Sequence, residues 1–158
     1  ILQRLGATRL GVWTIKHVVA RLDRRLYRWT NGRCLTAGRP LAPTLLLTTF
    51  GRKTGQPRTV PVFYLRDGQR LILCNVNPGF ERPNPWTLNI RAQPVVDVQI
   101  GGWNGRCQAR EATDEEITLY WPQLVQMWPA YQHHFARSGQ RSIFILVETQ
   151  AQHHKGKP

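Results

Sequence analysis

The dipeptide Asp67-Gly68 stands between two apolar runs, residues 59–66 (Thr-Val-Pro-Val-Phe-Tyr-Leu-Arg) and 69–75. An aspartate–glycine pair adopts the positive-φ backbone of a two-residue turn at low cost, and that turn matches the twist of paired antiparallel strands. The middle of the chain is therefore committed to an antiparallel hairpin. Pro61 lies inside the first run and has no backbone N–H to donate. That strand is expected to have an edge, a bulge or an interrupted ladder at Pro61.

Further strands fit the same plan. Residues 44–49 form a short Leu-rich buried run. Residues 95–100 alternate, Gly101-Gly102 marks a turn, residues 106–112 complete a second hairpin, and residues 142–148 read as a last strand. Residues 75–85 are a loop with three prolines, and Pro85 favours the first turn of a short helix over 86–93. Thr113 followed by Glu116 is a capping-box signature, and Pro122 and Pro129 are expected to divide the segment after it into short helical pieces. Near the N-terminus, Val12, Ile15, Val19, Leu22, Leu26 and Trp29 recur at helical spacing, with Arg21, Arg24, Arg25 and Arg28 on the remaining surface. This basic amphipathic helix over 12–29 either packs on the barrel with a solvated arginine face or lies on anionic lipid. The fold class expected is α+β: about six mainly antiparallel strands in a barrel, with peripheral helices. Residues 1–40 are read as basic helix and linker, 41–150 as the barrel domain, and 151–158 as a flexible tail.

A chain of 158 residues is about one domain, and 41% hydrophobic with 20% charged residues is a globular composition. Cys34, Cys74 and Cys107 are widely spaced and odd in number, which fits a reducing compartment better than a disulfide framework. No apolar run approaches the ~20 residues of a membrane span, and no signal peptide is visible. A chain that begins at Ile1 is read as trimmed. The expected location is the cytoplasm, with association at the cytoplasmic membrane face through the basic helix. The net charge is +13, and residues 1–33 hold eight basic residues opposed by Asp23 alone. Such charge calls for an anionic partner, but no nucleic-acid motif accompanies it, and the arginines flank a continuous apolar stripe.

Two segments offer chemistry. Residues 51–58 (Gly-Arg-Lys-Thr-Gly-Gln-Pro-Arg) place three cations, two glycines and a hydroxyl on one loop. Glycines let backbone amides approach an anion, and Arg and Lys add charge-assisted bonds. The order of a Walker A loop is absent. Alone, this could equally be a solvated basic turn. Residues 127–134 (Met-Trp-Pro-Ala-Tyr-Gln-His-His) are aromatic and read either as a packing helix or as a substrate wall. His133-His134 and His153-His154 point apart as neighbours on a helix, with no third ligand at useful spacing, so no metal site is expected. Neither a nucleophile triad nor a paired-carboxylate site stands out.

The succession Leu-Leu-Leu-Thr-Thr-Phe-Gly-Arg-Lys-Thr-Gly-Gln-Pro-Arg, Pro-Val-Phe-Tyr, Asp-Gly, and Asn-Pro-Trp-Thr-Leu-Asn-Ile-Arg-Ala-Gln-Pro resembles the deazaflavin (F420)-dependent nitroreductase family of split β-barrel oxidoreductases. The resemblance runs from about residue 45 to residue 147 and includes residues 120–125; residues 1–40 are poorly covered. It implies that Arg52, Lys53, Thr54 and Arg58 hold the phosphate and oligoglutamate tail of coenzyme F420. Thr59, Val60, Pro61, Val62 and Phe63 would flank the ring system, with Cys74, Asn75, Val76 and Asn77 meeting it from the next strand. Pro85, Trp86, Thr87, Leu88 and Asn89 would form the far wall, with the helix N-terminus towards an anion. The family commonly has a small hydroxyl residue where this chain reads Cys74-Asn75-Val76-Asn77. Trp128 and Tyr131 would bind substrate, and Tyr131 or His134 would donate a proton.

The implied function is hydride transfer from reduced F420 to a planar apolar acceptor: a quinone, an activated alkene or a nitroaromatic. FMN is the alternative cofactor. The alternative function is a non-catalytic fatty-acid- or lipid-binding relative at the membrane surface. Either a monomer or a homodimer fits.

Overall fold

The computed structural model describes residues 25–26, 42–75 and 83–149. Arg25 and Leu26 are helical; the rest of the expected 12–29 helix, most of the linker, Val76, Asn77 and the tail lie outside the described residues. The described residues form six strands: β1 Thr44–Phe50, β2 Pro57–Asp67, β3 Arg70–Asn75, β4 Val95–Ile100, β5 Trp103–Glu111 and β6 Ser142–Glu148. Besides the helical Arg25 and Leu26 they form three helices: α1 Pro85–Ala92, α2 Asp114–Met127 and α3 Ala130–Ser138. The strands close into a barrel in the order β1-β2-β3-β6-β5-β4, with every pairing antiparallel.

Alternation along each strand divides inside from outside. Leu45, Leu47, Leu71, Leu73, Val96, Val98, Cys107, Ala109, Phe144 and Leu146 form one core, within the barrel. On β3 and β6 the second face is buried too. Ile72, Cys74, Ile143 and Ile145 lie beneath Tyr120 and Leu124 of α2 and Tyr131 of α3. This double burial explains why these two strands read as continuous apolar runs. Helix α1 adds Trp86 and Ile90 to the interior core, with the Trp86 ring 5.5 Å from that of Phe144.

The hairpin forms one residue later than expected: Asp67 ends β2 opposite Arg70, so Gly68 and Gln69 make the two-residue turn, with Gly68 at φ +55°. The capping box at α2 is complete: the Thr113 hydroxyl accepts from the Glu116 N–H, and the Glu116 carboxylate accepts from the Thr113 N–H. Pro129 separates α2 from α3 as expected, but Pro122 does not divide α2. Pro122 is exposed, so the carbonyl it leaves without a helical partner can be solvated. Tyr120 and Leu124, packed on the barrel, hold the helix on both sides of it.

Polar groups at this cap are paired. Tyr120 donates to Asp67 at 2.6 Å, and Glu116 accepts from both terminal nitrogens of Arg110 at 2.7 Å, with Arg70 at 3.6 Å. Those bonds hold the Glu116 carboxyl down at about 2. The Arg141 guanidinium lies 4.7 and 4.6 Å from the ring centroids of Trp121 and Phe135.

Candidate functional site

The barrel is split beside β2. Strand β2 pairs with β1 from Pro57 to Phe63, but with β3 only from Tyr64 to Asp67. Beyond Tyr64↔Leu73, Cys74 and Asn75 pair with β6 alone, so among the described strands the Pro57-to-Phe63 stretch has one neighbour. Pro61 sits there, where a missing N–H does least harm to the ladder. Alternation sorts the five residues expected to flank a ring. Val60 and Val62 pack in the barrel core; Thr59, Pro61 and Phe63 point the other way, onto the outer surface beside the split. Thr59 and Thr48 share a hydroxyl–hydroxyl hydrogen bond at 2.8 Å.

The loop between β1 and β2 is preorganised. The Gly51 N–H donates to the Gln56 carbonyl at 2.9 Å, and the Gly51 carbonyl accepts from Thr54 and Gly55 at 3.1 and 2.7 Å. Gly55 has φ +66°, which a side chain would strain. Arg52, Lys53, Thr54 and Arg58 are exposed, and among the described residues no carboxylate pairs with the three cations. The Thr54 hydroxyl accepts from the Gln56 N–H at 3.3 Å.

Helix α1 is tied to both sides of the split. At its start Asn84 donates to the Asn75 side chain, and the Thr87 hydroxyl donates to the Asn84 carbonyl at 2.7 Å. Further along, Asn89 accepts from the Arg52 N–H at 3.2 Å and donates to the Thr49 hydroxyl at 3.1 Å. Trp86, Thr87 and Asn89 are buried, whereas Pro85 is exposed and Leu88 half-buried. The expected far wall is thus corrected in one respect. The Trp86 indole belongs to the barrel core, because a large apolar ring on a short helix gains most by filling the interior. Thr49 and Asn84 are additional residues of this site. Thr49 had a sequence signal: it follows Leu45 and Leu47 on the inward face of β1, and a buried hydroxyl there needs a partner.

At the other end of the split, aromatic groups gather. Phe63 and Trp128 lie 5.1 Å apart, and Trp128, Tyr131 and Cys74 belong to one packed cluster. Burial pushes the Cys74 thiol up to about 12, with Arg141 opposing weakly, so Cys74 is not a thiolate nucleophile at neutral pH. Burial, and secondarily Cys74, pushes the Tyr131 phenol up as well. The His134 imidazole is pushed down by burial and by the charges of Arg137 and His133, and its Nδ1 is buried without a hydrogen-bond partner among the described residues. Both shifts favour the uncharged form of the group.

A cleft of about 380 Å³ opens on the outer face of β1, β2, β4 and β5, lined by Leu46, Thr48, Asp97, Gln99 and Arg106 among others, and it shares Thr59 with the surface beside the split. Asp97 and Arg106 neutralise each other there at 2.9 Å, so it offers a polyanion less than the loop does. No group of three or more potential metal ligands occurs among the described residues.

Comparison with known proteins gives a consistent picture. The family model described as F420H(2)-dependent quinone reductase matches residues 19–150. The F420H(2)-dependent quinone reductase Rv1261c of Mycobacterium tuberculosis is 38% identical over 92 residues, covering 56% of this chain and 62% of that protein. The match therefore spans less than two thirds of that relative's length. A solved structure of an F420-H2 dependent reductase (FDR-A) superposes with a TM-score of 0.60 at 28% identity, covering 67% of this chain and 94% of the other. A domain-swapped dimer superposes with a TM-score of 0.62 at 24% identity, covering 80% and 95%, a likeness of fold alone.

Proposed function

Because the chain belongs to the F420H(2)-dependent quinone reductase family, we propose that it binds coenzyme F420 along the split beside β2 and reduces a quinone there. One observation carries this reading. The split has at one end cations with no carboxylate partner among the described residues, and at the other an aromatic cluster, joined by the outer surface of β2. From Arg58 to Phe63 the strand advances about 17 Å, the scale of a phosphate-bearing chain ending in a ring system.

The donor set fits the group. Arg52, Lys53 and Arg58 would bind the phosphate and oligoglutamate, with Thr54 beside them. Thr59, Pro61 and Phe63 would flank the ring from β2, and Asn75 and Leu88 would bound it across the split. Bound reduced F420 supplies a hydride. The protein's own part is orientation and shielding. Phe63 and Trp128 would hold a planar acceptor by stacking. Tyr131, kept protonated, would present its Oη–H as a hydrogen-bond donor, and neutral His134 would do so through a ring N–H. Activated alkenes and nitroaromatics are further candidate acceptors. Neither the comparisons nor the site favours FMN or a purely lipid-binding role.

Contact of the basic segment of residues 12–29 with an anionic membrane at the cytoplasmic face completes the proposal. It would bring the site to an apolar quinone pool, whether as a monomer or a homodimer. No helix among the described residues is long and apolar enough to cross a membrane. The test is anaerobic mixing of protein, reduced F420 and menadione, following the return of oxidised F420 absorbance. Oxidation that scales with protein supports the reading. No binding of F420 at micromolar concentration and no acceleration would defeat it.

A further inference from the structure

Asn89 stands out among the residues around the split. It is buried, 5% exposed, and both ends of its carboxamide are engaged by the protein. A backbone N–H only donates, so the group facing Arg52 must be the amide oxygen. The amide nitrogen is then the donor to Thr49. The pair of bonds joins α1 to the last inward residue of β1 and to the second residue of the loop, 40 and 37 positions away in sequence. Within the loop, the Gly51 carbonyl already accepts from Thr54 and Gly55. The Arg52 N–H is thus the loop's link to the helix, and it lies between the backbones of Gly51 and Lys53.

We propose that Asn89 is a positioning residue: its carboxamide holds the loop of residues 51–56 so that Arg52 and Lys53 present their charges together, and it does not itself touch the anion. This rests on the reading of that loop as the tail site of F420. A side chain only 5% exposed, with its oxygen and nitrogen each bonded within the protein, has little surface left to offer a ligand. A loop held by its backbone, in contrast, gives its cations a shared geometry before binding, which lowers the ordering cost of association. The effects of Lys53 and Asn89 on binding are therefore coupled.

The experiment combines amide hydrogen exchange with a double-mutant cycle. Asn89→Leu removes both bonds with little change of volume; Thr49→Val removes only the bond to β1 and leaves the loop bond. Exchange of the Arg52 amide should quicken on the order of tenfold in Asn89→Leu and less in Thr49→Val, with barrel amides such as Leu73 unchanged. Affinity for oxidised F420, read by its fluorescence, should fall about tenfold in Asn89→Leu. Lys53→Ala should weaken binding at least about fivefold in the parent but under about twofold in the Asn89→Leu background. Equal effects of Lys53→Ala in both backgrounds, or unchanged Arg52 exchange, would overturn the proposal. If Asn89→Leu does not fold, Thr49→Val must show a smaller coupling of the same sign; strict additivity there also overturns it. Inorganic pyrophosphate, titrated by calorimetry, separates the two readings. If the parent ignores F420 but Lys53 and Asn89 remain coupled towards pyrophosphate, the cofactor assignment fails and the positioning role stands.

Discussion

The two helical regions that cover this barrel treat charge in opposite ways. Under α2 and α3, Arg70 and Arg110 meet Glu116, Tyr120 meets Asp67, and Arg141 rests on two aromatic rings. Around α1 the buried polar groups bond to one another, while Arg52, Lys53 and Arg58 face outward with no carboxylate among the described residues to meet them. Both regions are well bonded. They differ in whether the bonding neutralises the cations or only positions them. The first arrangement stabilises a cap; the second leaves a place for an external anion.

The sharpest way to break that contrast is to weaken the cap alone. Leu124 is fully buried beneath α2, and Leu124→Ala is expected to cost about 2–5 kcal/mol in urea unfolding. Below the unfolding midpoint, F420 affinity should stay within about twofold of the parent if the two regions are independent. A tenfold loss of affinity would show that they are coupled. Lys53→Ala should do the reverse, weakening F420 by roughly 1–3 kcal/mol, while stability stays within about 0.5 kcal/mol. Calorimetric titration and thermal melts on the same samples decide it. Thr113→Ala removes the α2 cap and should cost about 1 kcal/mol of stability with no effect on binding.

The smallest expected effect is on pH. The folded Glu116 carboxyl titrates at about 2, below its ordinary 4.5, so its stabilising contribution is present above 4.5 and is lost as pH falls towards 2. At an exposed pair this is worth under about 1 kcal/mol after screening. His134 is also depressed, so its contribution is present above 6.5 and declines on acidification from there. Urea midpoints measured from pH 8 to pH 2 should fall in two limbs. Arg110→Gln should flatten the lower limb and His134→Gln the upper one.

Local physics made most of the fold legible. Gly101-Gly102, Pro85 and the Thr113/Glu116 box act within four residues of themselves and appear as expected, and the hairpin signalled by Asp67-Gly68 forms with its turn shifted by one residue to Gly68-Gln69. The last strand, Ser142–Glu148, has the bounds read from its pattern. Pro61 points to an edge, a bulge or an interrupted ladder in β2, and only the strand register shows that β2 and β3 part beyond Tyr64. What was not legible depends on partners distant in sequence. Asn89 is among the residues expected in the far wall of the cofactor site, but its bonds to Thr49 and Arg52 are visible only once the fold brings those residues to it. Trp86 in the core, and the division of residues 59–63 into inward and outward sets, follow from which face α1 and β2 present to the barrel. The continuity of α2 through Pro122 likewise comes from tertiary packing, which here overrides a local helix breaker.

The central claim is that an anionic deazaflavin binds along the split with its tail on the 51–58 loop. Backbone chemical-shift mapping on addition of oxidised F420 tests it most directly. Binding along the split should perturb Arg52, Lys53, Arg58, Thr59, Phe63 and Leu88 and leave Arg110 and Glu116 unmoved. Perturbations confined to Asp97, Gln99 and Arg106 around the outer cleft, or none at saturating cofactor, would contradict it.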